Sequence, residues 1–318
     1  MNVDPLMVLA SFGIGIVVGL TGMGGGALMT PVLVLFFNIP PLTAVSSDLV
    51  AAAVMKPVGS FVHLRRGTVN LNLVAWLMVG SVPTAFAGVL LMRRLGRGEQ
   101  LQHMVQLALG TALLLAAIGL AIRAYMRLLE RAARRDGTAD PLPSGPPQVE
   151  PRIIRTIAIG AIGGFVVGMT SVGSGSLIII ALMVLYPTLK ASSLVGTDLV
   201  QAVPLVMSAA LGHLLFGDFR LALTASLVIG SVPGAWLGAR ISSQAPGGLV
   251  RRILAFVLLA SSLKLLGVPT VGAGIVLLAL VMGAPGAWMV VRRRHGFPAL
   301  ASRRHRVVRP SVAERSPS

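Results

Sequence analysis

The sequence contains no cysteine, which excludes a disulfide framework, a thiol nucleophile and a thiolate metal site. It is also poor in charge: 12% of its 318 residues, with ten carboxylates and three lysines. A soluble domain carries roughly 25%. No lysine follows its glycine-rich segments as a P-loop would require, so nucleotide-driven work is not indicated. The few histidines show no metal-ligand spacing, which argues against a membrane enzyme, and no cofactor is called for. The first five residues, Met-Asn-Val-Asp-Pro, lack the basic region of a cleaved signal, so the first apolar stretch is expected to be retained.

Apolar residues are what the chain has in excess, at 55%. They fall into runs at about 5–21, 26–39, 44–63, 71–92, 101–122, 153–170, 174–187, 191–215, 220–240, 250–267 and 270–291. A hydrocarbon core about 30 Å thick needs roughly 20 such residues per helix. The expectation is an all-α, polytopic transmembrane bundle in the cell membrane, or the inner membrane of a Gram-negative cell. Its net charge of +17 is concentrated at Arg123 to Arg155 and Arg292 to Arg315. Arginine beside membrane spans is the positive-inside signal and favours contact with anionic lipid, not nucleic acid. The linker and tail are therefore expected in the cytoplasm.

The two halves are copies. Asp48-Leu-Val50 matches Asp198-Leu-Val200, His63-Leu64 matches His213-Leu214, and Gly80-Ser-Val-Pro83 matches Gly230-Ser-Val-Pro233, each at an offset of 150. Over 47–88 against 197–238 there are 17 identities in 42 ungapped positions. Chance likeness between apolar helices shares Leu, Val and Ala; it does not put Asp, His, Gly and Pro in one register. The expected organisation is a first repeat over 1–122, an Arg- and Pro-rich loop over 123–152, a second repeat with a final helix over 153–291, and a basic disordered tail over 292–318. Five spans per repeat would invert the second copy relative to the first, as in many secondary transporters. Arg93, Arg94 and Arg97 would then lie on the outer side, against the positive-inside rule.

Two glycine-rich segments also correspond, Gly19-Leu-Thr-Gly-Met-Gly-Gly-Gly-Ala-Leu28 and Gly168-Met-Thr-Ser-Val-Gly-Ser-Gly-Ser-Leu177. Glycine inside a helix costs about 1 kcal/mol against alanine, so these clusters predict helix breaks. A helix restarting after a break aims free N–H groups and its positive dipole end at it, which suits an anion. Thr21, Gly22, Gly24, Gly25 and Gly26, with Thr170, Ser171, Gly173, Ser174 and Gly175, are the candidate substrate-binding residues. The plainer alternative is close helix packing through small residues.

Ionisable groups at bilayer depth are costly and often functional. Asp48 and Asp198 are repeat equivalents, fit for ion coupling or for helix capping. His63 and His213 form a second matched pair, each 15 residues after its aspartate, fit for proton or anion contact or for a plain interfacial place. Lys56 lies mid-segment where the second half has Val206, and is the sharpest candidate for binding an anion. Snorkelling to an interface is its alternative.

Together these residues resemble the TauE/SafE family of sulfite exporter-like transporters. The match rests on the glycine segments, Ser47-Asp-Leu-Val50, Gly196-Thr-Asp-Leu-Val200, Lys56-Pro-Val-Gly59 leading to His63 and Arg65-Arg-Gly67, and both Gly-Ser-Val-Pro motifs. The second glycine segment is thinner than the family's usual run, and Val45-Ser-Ser-Asp48 stands where Gly-Thr-Asp is more typical. The resemblance implies passage of small sulfur-containing anions such as sulfite, sulfonates or sulfoacetate. A small anion and the lipid bilayer are then the expected partners, and self-association is left open. An anion channel, or an accessory membrane protein without transport activity, is the alternative.

Overall fold

In a computed structural model, the described residues are 3–21, 25–65, 67, 69–95, 98–135, 149–189, 191–241 and 247–296. Among them are eleven α-helices and no strand: α1 (Pro5–Thr21), α2 (Gly26–Phe36), α3 (Pro41–Arg65), α4 (Leu71–Arg94), α5 (Glu99–Arg135), α6 (Ile153–Thr170), α7 (Leu177–Leu185), α8 (Ala191–Phe216), α9 (Leu221–Ile241), α10 (Gly247–Leu265) and α11 (Thr270–Arg294). Each apolar run read from the sequence is one helix. Seven are long and apolar enough to cross a membrane: α3, α4, α5, α6, α8, α9 and α11. Large apolar side chains such as Leu9, Ile154, Val184, Leu278 and Met282 face outward, as a lipid-facing surface requires.

The order of contact is reciprocal. α1 lies along α9, and α6 lies along α4. Both pairs are parallel and glycine-lined: a Cβ at Gly160 would meet Leu77, one at Gly164 Ser81 and one at Gly168 Ala85, while Gly230, Gly234 and Gly238 stand against Val8, Phe12 and Ile16. Small residues let the backbones close in where lipid offers no hydrophobic drive to association. α3 and α8 cross the middle as an antiparallel pair, with Ser46 beside His213 and the Ser60 hydroxyl donating to the Leu199 carbonyl at 2.7 Å. α5 pairs with α10, joined where Gln106 Nε2 donates to the Leu265 carbonyl at 2.9 Å.

α6 and α7 form a hairpin that returns to the end it came from. The Tyr186 hydroxyl, just past α7, is 2.6 Å from Thr156 Oγ1 and accepts from the Arg152 N–H at 2.7 Å, both at the start of α6. Ile178 packs against Gly163 midway. α1 and α2 also go out and back. α1 begins at the start of α9, where the Asp4 N–H donates to Ser226 Oγ, and α2 leads into α3 at that same end. The two hairpins therefore enter from opposite ends. The sequence leaves the number of spans open, because the runs 26–39 and 174–187 are short for full spans. α2 and α7 are too short to cross, so each hairpin replaces two spans, and the direction of every later helix is unchanged.

A correction concerns the segment 123–152, expected to be a loop throughout. α5 continues to Arg135, because 123–135 consists largely of Ala, Leu, Met, Arg and Glu, which are strong helix formers. Arg123 is buried. The rest of that segment to 148, and the tail from 297, lie outside the described residues.

Candidate functional site

The second hairpin turns at Ser171–Ser176. Ser171 ends α6 in the left-handed conformation, φ 60°, with its N–H donating to the Val167 carbonyl at 2.8 Å. Gly173 and Gly175 follow with φ of 136° and 90°, which a side chain would resist. In the first hairpin, Thr21 ends α1 and Gly25 precedes α2. Gly22 and Gly24 lie outside the described residues. The two hairpins touch: a Cβ at Gly26 would collide with the Ser171 carbonyl oxygen. Glycine is needed there because the first turn of α2 rests directly on the other hairpin's backbone.

α3 passes this contact and places two charges on it. Buried Asp48 accepts at Oδ2 from Ser171 Oγ and from Thr30 Oγ1, each at 2.7 Å. It thus ties α2, α3 and the second turn together. Two turns further along α3, Lys56 is 5% exposed and its ammonium donates to Ser174 Oγ. Its field reaches Asp48 and, from α8, Asp198. Asp198 is fully buried, and neither of its oxygens has a hydrogen-bond partner among the described residues. The Gly175 amide, Lys56 and Arg123 are the groups acting on it. One turn thus meets three charged groups in succession: Asp48 at Ser171, Lys56 at Ser174 and Asp198 beside Gly175.

The other candidates sit differently. The Thr170 hydroxyl donates to the Val166 carbonyl at 2.7 Å and accepts from the Val172 N–H at 3.1 Å, so it shapes the turn. The Thr21 hydroxyl donates to the Val17 carbonyl of its own helix at 2.8 Å. His213 is fully buried between Ser46 Oγ and the Gly168 carbonyl, each at 2.8 Å. A carbonyl only accepts, so Nε2 carries the hydrogen. His63 is half-buried near the far end of α3. The matched histidines therefore occupy different settings.

Thr30, Ser46 and Arg123 were not singled out in the sequence. Thr30 follows the glycines within the short segment, a signal that could have been used. By sequence Arg123 belongs with the linker arginines, and only the continued helix α5 buries it. Chemically, the turn offers a cation, a hydroxyl and the N-terminal amides of α7 as anion donors, with Ser176 Oγ free of a partner among the described residues. The two carboxylates are acceptors for a cation or for Lys56 itself.

The profile of the family described as Sulfite exporter TauE/SafE matches residues 7–265. The chain is 37% identical over 261 residues to the probable membrane transporter protein YjnA of Bacillus subtilis (strain 168), covering 82% of this chain and 98% of that one. It is 27% identical over 243 residues to the probable membrane transporter protein YdhB of the same organism, covering 76% and 91%. No solved structure matches at a significant level. A chain of apolar helices, two meeting hairpins and a family match over most of its length is a membrane transporter, and it belongs to the sulfite exporter TauE/SafE family.

Proposed function

We propose that the protein is a secondary transporter that exports or conducts small sulfur-containing oxyanions, of the sulfite, sulfonate and sulfoacetate class, and holds the anion where the two hairpins meet. The observation that carries this reading is the Lys56 ammonium donating to Ser174 in the turn of the opposite hairpin. A cation buried at this depth needs a counter-charge. Two carboxylates in its field supply one at rest, and an incoming oxyanion competes with them for the same ammonium and the amides of the turn. Asp198 has no side-chain hydrogen bond among the described residues and only the Gly175 amide beside it, so it is the carboxylate freer to exchange partners during transport; Asp48 is tied to both hairpins.

The basic ends of the helices favour one orientation. Arg65, Arg135, Arg152, Arg240 and Arg292 all lie at the end where α5, α9 and α11 finish. By the positive-inside rule that end, with the linker and tail, faces the cytoplasm.

Sulfite efflux from proteoliposomes tests the function. The native protein should show saturable sulfite flux, and Lys56→Met should reduce it at least about tenfold, the equivalent of about 1.4 kcal/mol. Absence of flux of any sulfur oxyanion by the native protein removes the substrate class. Undiminished flux in Lys56→Met removes the site.

A further inference from the structure

A second feature lies at the opposite end from the basic one. There a cavity of about 780 Å³ opens between the end of α4, the start of α5 and the end of α8, lined among others by Arg93, Gln102, His213, Phe216 and Asp218. Its polar groups are held in place. The Arg93 guanidinium lies 4.3 Å over the Phe216 ring, which is itself braced edge-on by Phe86. Gln102 accepts from the Leu42 N–H at 3.0 Å through its side-chain oxygen, which leaves its amide nitrogen as a donor. Asp218, the acid of the lining, accepts from the Thr43 hydroxyl and so pins the 217–220 turn to α3. His213 also lines the cavity, with its side chain fully buried. Its ring touches Ser46, two residues before Asp48, and Gly168, three residues before Ser171. Gly217 seats that ring closely: a Cβ there would meet Ser46 Oγ at 2.7 Å and His213 Nδ1 at 2.8 Å.

Arg93 also stands against the rule that most of the basic helix ends follow. Membrane insertion favours arginine at the cytoplasmic end, yet Arg93 and Arg94 stand at the other one. A positive charge kept at a polar mouth attracts anions and raises their local concentration.

We propose that this cavity is an anion vestibule, a second and weaker binding station where a small oxyanion docks on Arg93 and the Gln102 amide on the far side of His213 from the hairpin contact. The inference rests on the transport reading above. His213 separates the two stations, and its displacement from Ser46 and Gly168 opens the way between them. Phe216 holds the guanidinium over its ring at the cavity wall.

The test uses the full-length protein in detergent and in proteoliposomes, with gel filtration to confirm folding. Calorimetric binding of sulfite to Lys56→Met should retain a weak site, and adding Arg93→Gln should abolish it while Arg93→Lys keeps most of it. On the native background, Arg93→Gln should raise KM for sulfite about 5-fold, hold kcat within about twofold and flatten the salt dependence of KM, as expected for a charge at the rim of a binding site. Unchanged KM and unchanged binding in Arg93→Gln overturn the vestibule while leaving sulfite transport intact. If the native protein moves no sulfite, the transport reading fails separately. Binding of sulfite, sulfate or chloride that depends on Arg93 still supports the vestibule in that case, and binding of none of them overturns it.

Discussion

Asp48 and Ser171 are separated by 123 residues and joined by a hydrogen bond of 2.7 Å, which locks the helix that follows the first hairpin to the turn of the second. The same carboxylate oxygen takes Thr30 from α2, so one buried group holds both hairpins. Buried bonds to a charged acceptor are worth about 1.5–3 kcal/mol each. Ser171→Gly, which tolerates the left-handed φ, should lower the thermal stability of the purified protein by an amount in that range. A melting temperature equal to the native value would show that the bond does not hold the hairpins together.

Gly26 and Gly13 give a matched pair within the first hairpin. Gly26→Ala forces a methyl against the Ser171 carbonyl, whereas a Cβ at Gly13 has nothing within 4 Å. Overpacking of this kind costs about 1–3 kcal/mol. Sulfite flux should fall sharply in Gly26→Ala and stay near native in Gly13→Ala. Equal flux in the two variants would contradict the close contact of the hairpins.

On the proposed transport reading, Asp198 competes with the anion for Lys56. Asp198→Asn removes that competition at similar volume, so the dissociation constant for sulfite should fall several-fold while turnover drops, because the bound anion is no longer displaced. At protein distances one charge alters another's binding by about 1 kcal/mol or more, so the shift is measurable by calorimetry. Weaker binding in this variant would mean that Asp198 assists the anion.

The matched histidines should respond unequally. His213→Ala leaves Ser46 and the Gly168 carbonyl without their shared partner and opens a cavity, for about 2–4 kcal/mol. His63→Ala, at a half-buried helix end, should cost under about 1 kcal/mol. Thermal unfolding of the two proteins in one detergent decides this.

Because the chain has no cysteine, orientation can be read with single introduced thiols. In intact cells Glu150→Cys should resist a membrane-impermeant maleimide and Glu99→Cys should react, since they lie at opposite ends of α5 and α6. The reverse labelling pattern would invert the orientation and place the Arg93 cavity in the cytoplasm.

Much of the architecture was legible from the chain itself. Apolar runs marked every helix, because backbone groups in lipid must bond within their own segment and helix content then follows local composition. The offset of 150 singled out Asp48, Asp198, His63 and His213, and the charge rarity singled out Lys56. The glycine cluster at 168–177 coincides with the turn between α6 and α7. What only the tertiary structure decided is how these pieces meet. Hydropathy measures length and cannot show that α7 returns to the end where α6 began; that depends on Tyr186 reaching Thr156. The repeat assigned equal roles to His63 and His213, but packing buried one and left the other half-exposed, because Gly217 and Ser46 close around His213 alone. Local sequence set which groups are costly to bury. Long-range contact set which of them found partners, and at Asp198 it left a buried carboxylate with no hydrogen bond among the described residues.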